Sequence, residues 1–165
     1  MHCLIHTVPA LALGLVGIAS TASTVSVSFN PDAQYVDAGN SPHDRQATFA
    51  TLAAHLKRAA ERRLPADEAL KVELLDVDLA GTVRPSRRTA TDLRIVRGSA
   101  DWPRLTLRYS LSKDGRVLRS GTESIADMNY SGRLGSYRSG DPLRFEKQLL
   151  DDWVGRLAQP QPGAR

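Results

Sequence analysis

At 165 residues, with 41% hydrophobic and 24% charged side chains, the chain has the make-up of one globular domain with its own core, which excludes a wholly disordered protein. The net charge of +4 comes mostly from Arg, the side chain that grips phosphates and carboxylates with a flat fork, so an anionic partner fits the composition. Cys3 is the only cysteine; this excludes a disulfide framework and leaves every later segment without a thiolate nucleophile or thiolate metal ligand.

The chain reaches its first basic residue only at Arg45. Val8 to Ala19 is an apolar run, and Ser20-Thr21-Ala22 supplies the small-x-small pattern that suits signal-peptidase cleavage after Ala22. The run is about a dozen residues, short of the roughly 20 that span a bilayer. Pro9, Gly14 and Gly17 also argue against a stable buried helix there. Residues 1–22 are therefore expected to be a cleaved signal peptide, although the n-region carries only the α-amine, His2 and His6. Residues 23–158 are expected to form the domain and 159–165 a frayed tail. A lipoprotein cysteine follows its apolar run, whereas Cys3 precedes it, so no lipid anchor is expected. The expected location is the periplasm, with no membrane span once the signal is removed.

Thr24 to Phe29 alternates as a strand, with Val25, Val27 and Phe29 on one face. Asn30 to Asp44 reads as a loop that includes His43. From Arg45 to Leu64, Phe49, Leu52, Ala53, Leu56, Ala59, Ala60 and Leu64 recur at helical spacing, His55 flanks that stripe, and Pro65 stops the helix. Leu70 to Leu79 is a strand whose apolar set changes parity at Leu74-Leu75, which requires a β-bulge. Leu93 to Arg97 is a short strand, followed by a clean alternation from Arg104 to Leu111. Asp114-Gly115 signals a two-residue hairpin leading into Arg116 to Ile125. That loop predicts Lys113 opposite Arg116, Leu111 opposite Leu118, Tyr109 opposite Ser120 and Leu107 opposite Thr122. Arg104, Arg108, Arg119 and Glu123 would then share the wet face. Asp141 is placed to cap a last helix with Pro142 at its first position and Phe145, Leu149, Trp153 and Leu157 as its buried stripe. The expected fold is α+β and two-layered: a mainly antiparallel sheet, order β-α-β-β-β-β-α, with two helices packed on one face.

Several stretches act together as a signature: Val25 to Pro31, Leu64-Pro65, Asp76-Val77-Asp78-Leu79-Ala80-Gly81, Asp127-Met128-Asn129-Tyr130, Phe145-Glu146-Lys147 and Leu150-Asp151-Asp152-Trp153. In combination they make the chain, from Val25 to Trp153, resemble the bacterial domain-of-unknown-function family numbered three thousand and sixteen, made of small exported proteins. The resemblance implies a secreted single domain and carries no activity and no catalytic residue with it.

Asp76 and Asp78 share one strand face, and Asp92 opens the next strand, so these carboxylates could hold a divalent cation. The competing expectation is that they pair with Arg84, Arg87 or Arg88, since no calcium-loop spacing accompanies them. Tyr130, Arg133, Tyr137 and Arg138, in the Gly/Ser-rich segment opened by Asp127, are the residue types of contact surfaces, with Trp102 expected at the same sheet end. A simple meander would put the Arg84-Arg87-Arg88 loop at the opposite end. His43 and His55 have no motif spacing for a metal or a general base, and Glu123, Glu146, Asp151 and Asp152 read as solvated or paired charges. No nucleophile elbow, phosphate loop, dinucleotide fingerprint or zinc-protease motif occurs. The expectation is thus a non-catalytic envelope binding or accessory protein without a cofactor. Its partner would be anionic or a protein, not nucleic acid. A metal-assisted hydrolase and a subunit that assembles by sheet-edge pairing are the alternatives.

Overall fold

The computed structural model of the chain describes residues 23–30, 33–84, 93–98, 100–132, 137 and 140–160. The expected signal peptide, the tail from residue 161 on, Arg87, Arg88, Asp92, Arg133 and Arg138 lie outside the described residues. The elements are β1 (Thr24–Phe29), α1 (Pro42–Glu61), β2 (Glu68–Asp78), β3 (Thr82–Arg84), β4 (Leu93–Ile95), β5 (Arg104–Lys113), β6 (Arg116–Ala126), a 3₁₀ turn at Tyr130–Gly132 and α2 (Arg144–Leu157). The fold is α+β, with the expected order of strands and helices and one addition, β3. The main sheet runs β1-β2-β5-β6, with β1 parallel to β2 and the other pairs antiparallel.

The helix α1 begins at Pro42 rather than Arg45, because Ser41 caps it: its hydroxyl accepts from the Asp44 amide at 3.1 Å, and Pro42 fills a position whose N–H is not needed. His43 therefore lies in the first helical turn and not in a loop. Leu52 and Leu56 of α1, Leu70 and Leu74 of β2, Leu105 and Leu107 of β5, and Leu150 and Trp153 of α2 are sealed from solvent. Each contributes roughly 1.5–3 kcal/mol by leaving water, and together they bind both helices to one face of the sheet. Among the described residues no helix is long and apolar enough to cross a membrane.

The bulge expected in β2 lies between Leu74 and Asp76, so Leu75 is the extra residue and Val77 returns to the core. A second bulge corrects the expected hairpin register. The Asp114-Gly115 turn, with both φ angles positive at 50° and 79°, does place Lys113 opposite Arg116. The register then shifts, so Leu111 faces Arg119, Tyr109 faces Gly121 and Leu107 faces Glu123. Leu118 is the added residue. Arg119 and Glu123 consequently leave the wet face for the helix-covered one. There Glu123 Oε2 accepts from Trp153 Nε1 at 3.1 Å, and Arg119 Nη2 donates to the Leu157 carbonyl. The open face keeps Arg104 and Arg108, which cross to Asp78 at 2.9 Å and Glu73 at 2.8 Å.

The meander is also corrected. β4 pairs with β3 in a separate ribbon, and β2 pairs directly with β5. The excursion leaves at Asp78 and returns at Arg104, its register partner, and Gly81 N–H donates to the Asp101 carbonyl at 2.9 Å across its base. Arg84, Trp102 and Asp127 therefore emerge from one end of the sheet instead of two. Gly81 has φ of 88°, and a Cβ there would stand 2.7 Å from the Ile95 carbonyl oxygen, so the corner admits only glycine without strain.

Candidate functional site

Of the residues singled out as a contact surface, those that are described take separate places in the fold. Tyr130 is 3% exposed; its ring packs edge-on against Phe145, and its hydroxyl donates to Asp101 at 2.6 Å while accepting from the Gly98 amide at 3.1 Å. Burial, with the Asp101 carboxylate, pushes its pKa up to about 12. Tyr130 is thus a core strut, not a surface anchor. Trp102 is half-buried. Asp127 accepts from the Asn129 amide at 3.0 Å and closes a turn. Arg133 and Arg138 fall outside the described residues.

Tyr137 belongs to a polar cluster that the sequence did not assemble. His55 from α1 and Asp151 from α2 meet across the helix interface, with Nε2 of His55 3.1 Å from Asp151 Oδ1. The Tyr137 hydroxyl donates to Asp151 Oδ2 at 2.5 Å and lies 3.1 Å from the same His55 nitrogen. Arg63 donates to Asp151 Oδ1 at 3.2 Å. The single Tyr137 proton is committed to the carboxylate, and Asp151 only accepts. The His55 Nε2 must therefore carry its proton, which removes that nitrogen as a base. Burial lowers the His55 pKa more than Asp151 raises it, so the ring is neutral. For Asp151, burial raises the pKa, but the Tyr137 hydroxyl, His55 and Arg63 together hold it below the usual range. Burial, then Asp151, raises the Tyr137 phenol. The cluster is a clasp in which Asp151 of α2 ties together His55 of α1, Arg63 and Tyr137.

Of the carboxylates considered for a metal, Asp76 and Asp78 take separate partners. Asp78 pairs with Arg104 on the neighbouring strand, not with Arg84. Asp76 Oδ1 accepts from the Val36 and Val77 amides at 3.0 and 2.9 Å. Asp92 lies outside the described residues, among which no group of three His, Cys, Asp or Glu could hold a metal ion. His43 and His55 are not brought together: His43 lies in the first turn of α1, and His55 is in the clasp.

The structure does form a cleft that the sequence did not reveal. It has a volume of ≈600 Å³ and is walled by α1 (Asp44, Ala47, Thr48, Thr51), the loop before it (Gly39, Asn40), Leu79, the ribbon (Val83, Arg94) and Pro142-Leu143. Arg94, the one cation among these described residues, is immobilised: Nη1 and Nη2 donate to Asp37 at 2.8 and 3.1 Å, and Nη1 also approaches the carbonyls of Leu79, Ala80 and Gly81. Asp37 is fixed in turn by a parallel bridge to Asp78. The two-pronged pair fixes the guanidinium plane and nearly cancels its charge. The lining mixes apolar Leu79, Val83, Pro142, Leu143 and Ala47 with hydrogen-bonding Asn40, Asp44, Thr48 and Thr51, so the cleft suits an amphipathic occupant. Beneath this region Glu146 is 1% exposed. Its Oε1 accepts from the Ala80 amide at 2.7 Å, and its Oε2 has no hydrogen-bond partner among the described residues. A second concavity, ≈590 Å³, lies on the open sheet face among Ser26, Ser28, Lys71, Arg108, Ser120 and Thr122.

The chain belongs to the family described as Protein of unknown function (DUF3016), whose pattern matches residues 23–156. No curated protein matches it. Among solved structures it is similar to protein XCC0632 from Xanthomonas campestris, of family DUF330, with 15% identity, 91% of this chain and 90% of that chain covered, and a TM-score of 0.36. It is also similar to the hypothetical protein CT253 from Chlamydia trachomatis, with 11% identity, 83% and 96% covered, and a TM-score of 0.36. A dodecamer of a PelC variant from Paraburkholderia phytofirmans has 14% identity, 94% and 96% covered, and a TM-score of 0.32.

Proposed function

We propose that this member of the DUF3016 family is a non-catalytic binding or accessory protein of the bacterial envelope that receives a segment of a partner protein in the cleft between α1 and the β3–β4 ribbon. The cleft itself carries the reading: ≈600 Å³ lined by both apolar and hydrogen-bonding side chains, with a guanidinium locked by Asp37. Such a lining suits an extended segment that offers apolar side chains and hydrogen bonds together. The titratable groups give further support. His55, Tyr137 and Asp151 satisfy one another, Asp37 holds Arg94, and Asp101 holds Tyr130, so each is spent on structure. Export rests on the apolar leader and the small-x-small site before Ser23.

The test is photo-cross-linking in living cells, with the probe at Thr51 in the cleft wall or at Lys71 on the open sheet face, on a central strand away from either edge. A partner adduct should form from Thr51, should not form from Lys71, and should vanish when Ala47→Trp fills the cleft. Equal adducts from both positions, or an adduct indifferent to Ala47→Trp, would overturn the proposal. Mass spectrometry of the periplasmic fraction should find a chain that begins at Ser23; an intact leader on cytosolic protein would refute the envelope location.

A further inference from the structure

The strand β6 closes the main sheet on one side. Of its 11 residues only Ile125 is buried, and among the described residues nothing pairs with its outer edge. A strand this long with unmatched N–H and C=O groups is a template for another strand unless proline, an inward-pointing charge, a bulge or a covering element blocks it. β6 has no proline, and its inward-pointing charges, Arg119 and Glu123, admit only a partner strand that sets an opposite charge against each. Its one irregularity, the bulge at Leu118, leaves Arg119 to Ala126 regular.

We infer that β6 pairs antiparallel with β6 of a second copy of this chain, about a two-fold axis through Gly121. Continuing the sheet must keep the helix-covered faces on one side, which restricts the register to steps of two residues. With the axis at Gly121, Arg119 lies opposite Glu123 of the partner subunit, and Glu123 lies opposite the partner subunit's Arg119. Ser120 meets Thr122 of the partner subunit in the same way. With the axis at Ser120, Arg119 meets only glycine; at Thr122 it meets Ile125; at Glu123 two carboxylates collide. Opposite charges directly across an antiparallel pair stabilise it, and like charges oppose it. The sheet's opposite edge strand, β1, carries no charged residue to complement Arg119 and Glu123. The Gly121 register also brings the partner's Leu118, 47% exposed in one copy, against Ser124 beside a groove of ≈400 Å³ between β6 and α2. Gly121 leaves room at the axis, since a Cβ there would sit 3.6 Å from the Tyr109 ring, an ordinary contact.

The full chain carrying Cys3→Ser has no thiol, so a single introduced cysteine reports the geometry. Mild oxidation of Gly121→Cys in that background should give a disulfide-linked dimer on a non-reducing gel. Ser124→Cys should not, because six residues of offset separate its two copies by about 20 Å in this register. Arg119→Glu should weaken self-association in sedimentation by about tenfold or more, and adding Glu123→Arg should restore it. A monomer from Gly121→Cys, or equal cross-linking from Ser124→Cys, would overturn the register. A charge reversal that the second exchange fails to rescue, in protein whose circular dichroism is unchanged, would overturn the pairing.

Discussion

Glu146→Gln should make this protein more stable at alkaline pH and leave it nearly unchanged in acid. Glu146 is sealed in the core with one oxygen bonded to the Ala80 amide and the other lacking a partner among the described residues. Burial pushes its carboxyl above the ordinary value of 4.5, against weaker opposing effects of the Ala80 bond, Arg94 and Arg144. The folded state therefore holds the proton more tightly than the unfolded chain. This stabilising effect is complete below pH 4.5 and is lost as pH rises through the raised value, with a slope of up to ~1.4 kcal/mol per pH unit. Glutamine keeps the acceptor for Ala80 and has no proton to lose. Its amide in place of the second oxygen costs less than an unpaired buried carboxylate, so the variant should gain ~1–3 kcal/mol at pH 8. His55 has the opposite sign: its lowered pKa makes stability fall as pH drops through 6.5. The difference between wild type and variant cancels that contribution. Urea unfolding followed by tryptophan fluorescence from pH 4 to 9 measures it. Parallel pH profiles, or a variant less stable at pH 8, would refute the reasoning.

Tyr137→Phe removes the hydroxyl that donates to Asp151 and should cost about 1–2 kcal/mol, with faster amide exchange near Gly140, both measurable on one sample. The His55 ring should titrate below 6.5 by proton NMR, because its burial outweighs Asp151. Gly81→Ala, at a positive φ and against the Ile95 carbonyl, should lose at least about 1–2 kcal/mol in thermal melts, while Gly155→Ala on α2, whose Cβ meets nothing, should not lose stability.

Where the sequence was legible, apolar spacing made it so. The β2 bulge could be placed because Leu70, Val72 and Leu74 on one side and Val77 and Leu79 on the other betray a parity change. The β6 bulge has no such mark, since Arg119-Ser120-Gly121-Thr122-Glu123 has no apolar set to change step. Counted straight from the two-residue turn, Arg119 and Glu123 fall on the wet face, whereas the bulge turns them under the helices to meet the Leu157 carbonyl and Trp153. Glu146 escapes the pattern for a different reason. A stripe of Phe145, Leu149, Trp153 and Leu157 advances four residues each time and drifts around the helix, whereas the buried face holds Glu146, Leu149, Leu150, Trp153, Val154 and Leu157. Adding Leu150 and Val154 would have centred it. β3 is three residues long with Val83 as its one apolar side chain, too little for periodicity to register. The cleft and the clasp arise from contacts between residues dozens of positions apart, which no local pattern encodes.

The ribbon's attachment has a consequence for how such a protein can change. Its two stems meet where Gly81 bonds to Asp101 and Asp78 sits across from Arg104, so the sheet beneath is already closed without it. Everything between those stems is an appendix in topology, free to lengthen, shorten or alter its side chains at little entropic expense. Because Val83 and Arg94 on that appendix form one wall of the cleft, whose other walls belong to α1, Leu79 and Leu143, that one wall can drift while the packed body is preserved.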